Sequence, residues 1–162
     1  MNYGKIESCS VVSGPGCRVS VFVSGCEHRC KNCFNPETWS FEFGKEFTED
    51  TLNSILELAR PDYISGISLL GGDPLHPRNR IDVLKLIRKF KKAYPNKTVW
   101  LWTGYLIEEV FEDLVDSGID VVVDGRFVEE LKDLRLKFRG SSNQRIIDLK
   151  ETVRTGDLIL YE

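Results

Sequence analysis

The sequence has no uncharged run longer than ten residues. Stretches such as Ser8 to Cys17 and Thr98 to Ile107 reach that length, about half of what a bilayer-spanning helix requires, so no membrane segment is expected. Neither charge is in excess: 22 Lys and Arg face 25 Asp and Glu, a net of −3, too little to recruit nucleic acid or an anionic membrane surface. The opening Met-Asn-Tyr-Gly-Lys-Ile-Glu lacks the apolar stretch after basic residues that export needs, which makes the cytoplasm the expected location. Low-complexity segments, internal repeats and long linkers are missing as well. With 162 residues and a 41% apolar share, the chain is expected to form a single domain over 1–162 around its own core.

Apolar residues recur at helical spacing in three places: Leu52, Ile55, Leu56 and Ala59; Val83, Leu86, Ile87 and Phe90; Ile107, Val110, Phe111 and Leu114. Thr48 suits the start of the first helix and Gly118 the end of the third. Short apolar runs of strand length lie between them, at Val19–Val23, Ile67–Leu70, Thr98–Trp102 and Val121–Val123. Hydrophobicity that is continuous rather than alternating suits strands covered on both faces. The pattern predicts an α/β fold with a mostly parallel sheet and crossover helices. Beyond Asp124 it weakens into a charged, helix-prone stretch from Val128 to Phe138, then two short β-like pieces, Arg145–Leu149 and Leu158–Tyr161.

Five cysteines in a chain expected in a reducing compartment point to metal or redox chemistry rather than structural disulfides. Three of them, Cys26, Cys30 and Cys33, fall within eight residues just after the first apolar strand, where Gly25 opens a loop. Thiolates are soft ligands for zinc or iron–sulfur clusters, and a loop can wrap three of them around one centre. The spacing supplies three ligands, and a reactive centre keeps an open position where a structural zinc closes its tetrahedron. A cubane with one open iron fits; a Cys3His zinc knuckle using His28 or His76, or simply buried thiols, are the alternatives. Cys9 and Cys17 read as small buried hydrophobes outside the site.

A second feature is Ser68-Leu69-Leu70-Gly71-Gly72-Asp73-Pro74, a buried strand ending in two glycines. Without Cβ atoms the backbone can approach a ligand, and the carboxyl ends of parallel strands are where α/β folds hold ligands. The carbonyls here and Asp73 are acceptors suited to an ammonium group, and a tight turn is the competing reading. His28 and His76 are loop histidines, solvated or hydrogen-bonded. Trp100 and Trp102 should face one side of the sheet. Arg78 to Lys97 holds eight basic residues against one acid, Asp82, a solvated face or a dock for an acidic protein.

The three-cysteine loop followed by a Gly-Gly-acid strand end resembles the radical S-adenosylmethionine superfamily. Gly71-Gly72-Asp73-Pro74-Leu75-His76-Pro77, Trp100-Leu101-Trp102-Thr103-Gly104-Tyr105, the stretch Asp120 to Phe127 and Arg139-Gly140-Ser141-Ser142-Asn143-Gln144-Arg145 narrow the resemblance to its glycyl-radical enzyme activases, the group that serves anaerobic ribonucleoside-triphosphate reductase. The resemblance implies a small, incomplete (βα) barrel. It implies a 4Fe-4S cluster on Cys26, Cys30 and Cys33, with S-adenosylmethionine chelated to the fourth iron. Reductive cleavage would then yield a 5′-deoxyadenosyl radical that takes a hydrogen from a glycine of the reductase large subunit, with electrons from a reduced flavodoxin-like donor. S-adenosylmethionine would contact Asn32, Cys33, Phe34, Gly71, Gly72 and Asp73. Many superfamily members carry an aromatic residue before the third cysteine; Asn32 stands there, which leaves the stacking role to Phe34. A branched side chain at Gly72 is expected to weaken S-adenosylmethionine binding and spare the cluster. Arg139 to Arg145 is expected either to dock the reductase or to hold the sheet edge. A radical enzyme acting on a small metabolite and a zinc-binding interaction module are the rival functions.

Overall fold

The computed structural model describes residues 1–162. Seven strands, β1 (Asn2–Ser10), β2 (Cys17–Val23), β3 (Lys45–Glu46), β4 (Ile64–Gly71), β5 (Thr98–Trp102), β6 (Val121–Asp124) and β7 (Arg145–Asp148), form one sheet in the order β3-β1-β2-β4-β5-β6-β7. Four helices, α1 (Glu49–Leu58), α2 (Pro77–Ala93), α3 (Ile107–Leu114) and α4 (Leu149–Thr155), accompany it. The α/β class and the four apolar strands are found where the sequence puts them. The expectation of a mostly parallel sheet is corrected: β2, β4, β5 and β6 run parallel, but β1, β3 and β7 are antiparallel additions, so the sheet is mixed. Only the inner strands are joined by helical crossovers, the connection that parallel pairing requires; the outer ones are reached by loops without one, which suits antiparallel pairing.

Because β2, β4, β5 and β6 are neighbours in chain order, right-handed crossovers put α1, α2 and α3 on a single face. That face holds the main core, in which Val19, Val21, Ile67, Leu69, Val99 and Leu101 meet Leu52, Ile55, Leu86, Ile87, Phe90 and Val110. Thr48 caps α1, its hydroxyl accepting from the Thr51 backbone N–H at 3.3 Å. The opposite face carries the alternate residues, among them Trp100, Trp102, Val121 and Val123, closed by Phe138 and Ile146. Trp100 and Trp102 do share a side, ring centroids 5.8 Å apart.

The face opposite the helices also buries a guanidinium. Arg18 donates to Ser68 Oγ (2.8 Å), Thr98 Oγ1 (2.9 Å) and the carbonyls of Pro15, Ile67 and Thr98. It ties the β1–β2 loop to two neighbouring strands. Burial pushes its pKa down to about 10, far enough above neutrality that it stays charged.

The cysteines outside the cluster loop need a correction. Cys9 is exposed and Cys17 half-buried, and they form a disulfide between β1 and β2 across Cα atoms 5.1 Å apart. The helix-prone Val128–Phe138 stretch holds one short 3-10 turn, Glu129–Leu131, within a loop. Of Leu158–Tyr161 only Leu160 pairs, as a bridge to Ile147.

Candidate functional site

The carboxyl ends of β2, β4, β5 and β6 lie along one edge, and the residues that follow them surround a cavity of about 550 Å³. Cys26, Cys30 and Cys33 all line it. Gly25, at φ +106°, turns the chain out of β2, and its N–H donates to the Thr38 carbonyl at 2.6 Å while Cys26 N–H reaches Trp39 O at 3.1 Å. Arg29 and Asn32 both adopt the left-handed conformation, at φ 51° and 54°. Asn tolerates that region better than an aromatic residue does, a local reason for the residue preceding Cys33. The cysteines are free thiols. Burial pushes the Cys26 thiol up to about 11; the His28 backbone N–H opposes that rise and the Asp73 charge adds to it. Burial also raises Cys30, against an N–H from Phe127, and the Asn35 N–H points at Cys33 Sγ at 3.4 Å.

Three soft donors around one cavity, each met by a backbone N–H, match what a thiolate-ligated cluster needs, since N–H···S bonds stabilise the ionised form. Neither histidine is freely available as a fourth ligand. His28 Nε2 lies 2.6 Å from Asp73 Oδ2, although an imidazole nitrogen, the Cys26 sulfur and an Asp73 oxygen all sit within 4.8 Å of one another. His76 is the N-cap of α2, its Nδ1 accepting from Arg78 N–H at 3.1 Å, with Nε2 3.3 Å from Glu27.

Gly71, Gly72 and Asp73 line the cavity beside the thiols. A Cβ on Gly71, at φ +108°, would lie 2.6 Å from the Val23 carbonyl oxygen, and one on Gly72 would lie 2.6 Å from that of Gly25. The glycines are thus required by their own backbone neighbours. The expectation that bulk at Gly72 would spare the cluster fails on that ground, because Gly25 immediately precedes Cys26. Asp73 is 1% exposed and its carboxylate is occupied: Oδ1 accepts from Leu75 N–H (2.9 Å) and Thr103 Oγ1 (2.8 Å), Oδ2 from Gly104 N–H (2.9 Å) and His28.

Phe34 lines the cavity, half-exposed, with its ring 4.8 Å from that of Phe127. Asn32 does not; it is exposed and its amide donates to Glu129. Trp39 was not legible as a site residue, yet it lines the cavity and its indole N–H is buried without a partner. The loop after β6 adds Leu134, Leu136, Phe138 and Gly140 to the cavity lining, with Leu134 largely exposed.

The segment 139–145 is tied back onto its own loop and the sheet edge, with Ser142 and Asn143 exposed. Arg139 donates to the Gln144 carbonyl (2.6 Å), Gln144 Oε1 accepts from Gly140 and Ser141 N–H, Asn143 donates to Arg126 O and Arg145 pairs with Asp124. It holds the sheet edge. The basic stretch 78–97 is also largely committed: Arg80 pairs with Asp113, Lys85 and Lys89 with Glu49, Lys91 with Asp120, and Lys97 donates to the Ala59 and Pro61 carbonyls. No helix is long and apolar enough to cross a membrane.

Residues 12–147 match the family model described as a 4Fe-4S single cluster domain. The chain is 44% identical over 154 residues to the anaerobic ribonucleoside-triphosphate reductase-activating protein of Escherichia coli K12, covering 93% of this chain and all of that protein. It is 42% identical over 146 residues to the protein of the same name from Enterobacteria phage T4, covering 90% and 93%. With that of Vibrio cholerae it shares 43% identity over 150 residues, 90% of this chain and 97% of the relative.

Proposed function

Because the chain belongs to the family of anaerobic ribonucleoside-triphosphate reductase-activating proteins, we propose that it is a radical S-adenosylmethionine activase that places a glycyl radical on that reductase. The observation that carries this is the convergence of three free thiols on one cavity at the carboxyl edge of the parallel strands. Cys26, Cys30 and Cys33 would hold a 4Fe-4S cluster there, which would supply the electron for reductive cleavage of S-adenosylmethionine and so the radical chemistry that an activase directs at a reductase glycine.

Cys26, Cys30 and Cys33 are the ligands in this reading, and they leave one iron without a protein donor. Gly71 and Gly72 offer backbone to the methionine part of S-adenosylmethionine, and Asp73 keeps that strand end in place. Phe34 is the stacking surface for the adenine, and Asn32 serves at the rim, bound to Glu129. The sheet, helix-covered on one face only, is the wall of an incomplete barrel formed by the whole chain as one domain. Leu136 and Phe138 give its mouth an apolar lining. For the electron source we assign a reduced flavodoxin-like protein. Within the basic stretch Arg88 and Lys92 have no ion-pair partner, and Arg78 stacks on Phe41 with its guanidinium 4.1 Å from the ring centroid.

Anaerobic reconstitution with iron and sulfide, then addition of dithionite, S-adenosylmethionine and the reductase, tests the proposal. 5′-Deoxyadenosine and a glycyl-radical doublet in the electron paramagnetic resonance spectrum are expected from the native chain and neither from Cys30→Ala. Full cluster occupancy in Cys30→Ala would overturn the ligand assignment.

A further inference from the structure

His28 leaves the cluster loop between the first two cysteines and has a side chain only 8% exposed. Its Nε2 is 2.6 Å from Asp73 Oδ2. The other side of the imidazole meets the turn after β5: the ring packs edge-on against Tyr105 with centroids 4.6 Å apart. It lies so close to Gly104 that a Cβ there would strike it. The same carboxylate receives the Gly104 N–H and the Thr103 hydroxyl. Three separate segments, the cluster loop, the end of β4 and the end of β5, therefore meet at Asp73. Of the loop's side chains between Cys26 and Cys30, His28 is the most buried; Glu27 lies 3.3 Å from His76 with its own carboxylate exposed, Arg29 sits over the Trp39 ring, and the nearby backbone bonds are Cys26 N–H to Trp39 O and Cys33 N–H to Cys30 O.

We propose that His28 is a positioning residue that locks the cluster loop into a receptor made by Asp73 and Thr103-Gly104-Tyr105, fixing the Cys26 and Cys30 sulfurs before and after cluster binding. The Thr-Gly-Tyr turn then acts as the fixed half of the lock. Thr103 and Gly104 orient the carboxylate, and the missing Cβ of Gly104 is the slot for the imidazole. The proposal rests on the reading of Cys26, Cys30 and Cys33 as cluster ligands. Residues that orient metal ligands in this way change metal affinity by roughly 10–100-fold when removed.

Five variants test it: His28→Leu, which fills the space without a donor; His28→Gln, whose amide can still reach Asp73; His28→Ala; Gly104→Ala; and the double variant His28→Ala with Gly104→Ala. Iron per chain after anaerobic reconstitution is measured first, and failure of the native chain to take iron would indict the ligand reading and not the lock. The rate of iron loss to a chelator and the spectrum of the reduced cluster are then compared. Expected are loss at least roughly tenfold faster and an altered spectrum in His28→Leu and in Gly104→Ala, with His28→Gln within about threefold of native. Adding Gly104→Ala to His28→Ala should cost nothing further, because the ring that the methyl strikes is gone. Native-like retention in His28→Leu would overturn the proposal, as would a Gln variant no better than Leu or additive losses in the double variant. Should His28→Leu fail to fold, the Gly104→Ala and double-variant comparison decides alone.

Discussion

At Gly72 a Cβ would first meet the Gly25 backbone, and that changes what a substitution does. Gly72→Ala should shift Gly25 and Cys26 with it, so iron content and S-adenosylmethionine cleavage should fall together; full iron with weakened cofactor binding would restore the ligand-room reading. Arg18 offers a second case. Its five hydrogen bonds all go to neutral acceptors inside the sheet, so Arg18→Met leaves buried oxygens without donors. A loss of about 3 kcal/mol or more is expected in chemical denaturation. The gathering of Cys26, Cys30 and Cys33 at one cavity was legible from their spacing, because three thiols within eight residues of loop cannot lie far apart. Trp39 and the Asp73 hub were not, since their importance lies in contacts between segments distant in the chain, which no local pattern records.

Among the elements, the central strands and the three crossover helices were readable because burial on both faces leaves an unbroken apolar signature. Strand β1 leaves no such signature. Its sequence, Asn-Tyr-Gly-Lys-Ile-Glu-Ser-Cys-Ser, has few apolar residues, and none but Ser10 is fully buried; it is held by pairing with β2 on one side and β3 on the other. Helix α4 carried a usable sign in Asp148, whose carboxylate accepts from Glu151 N–H at 3.1 Å, but the helix spans only seven residues. The stretch 128–138 has helical propensity that is overridden by contacts made at its end, where Phe138 packs edge-on against Trp100 and its carbonyl accepts from the Trp102 indole. At the β1–β2 connection, the disulfide closes a short loop, worth about 2.5 kcal/mol by loop-closure entropy. Cys9→Ser should therefore lower the melting temperature in the absence of reductant and leave it unchanged in reductant; equal melting in both conditions would count against the bond.

Across the whole molecule, the cluster loop and the loop after β6 close on each other from opposite ends of the sequence. Glu129 accepts from Asn32 and lies 3.6 Å from Lys31, while Phe34 packs on Phe127. Glu129→Ala removes exposed polar contacts worth about 1 kcal/mol together, enough to speed amide exchange in 126–139 about fivefold while the strands are unaffected. Unchanged exchange there would mean that the aromatic pair alone holds the two loops.

The division of the five cysteines into a bonded pair and a free triad also makes the chain its own reporter. Titration with a thiol reagent under non-denaturing, anaerobic conditions should count three sulfurs in the cluster-free protein and five after reduction of the Cys9–Cys17 bond. With the cluster in place the corresponding counts are none and two. Four states thus give four different integers, so one colorimetric measurement reads cluster occupancy and hairpin oxidation at once, without any partner protein or turnover.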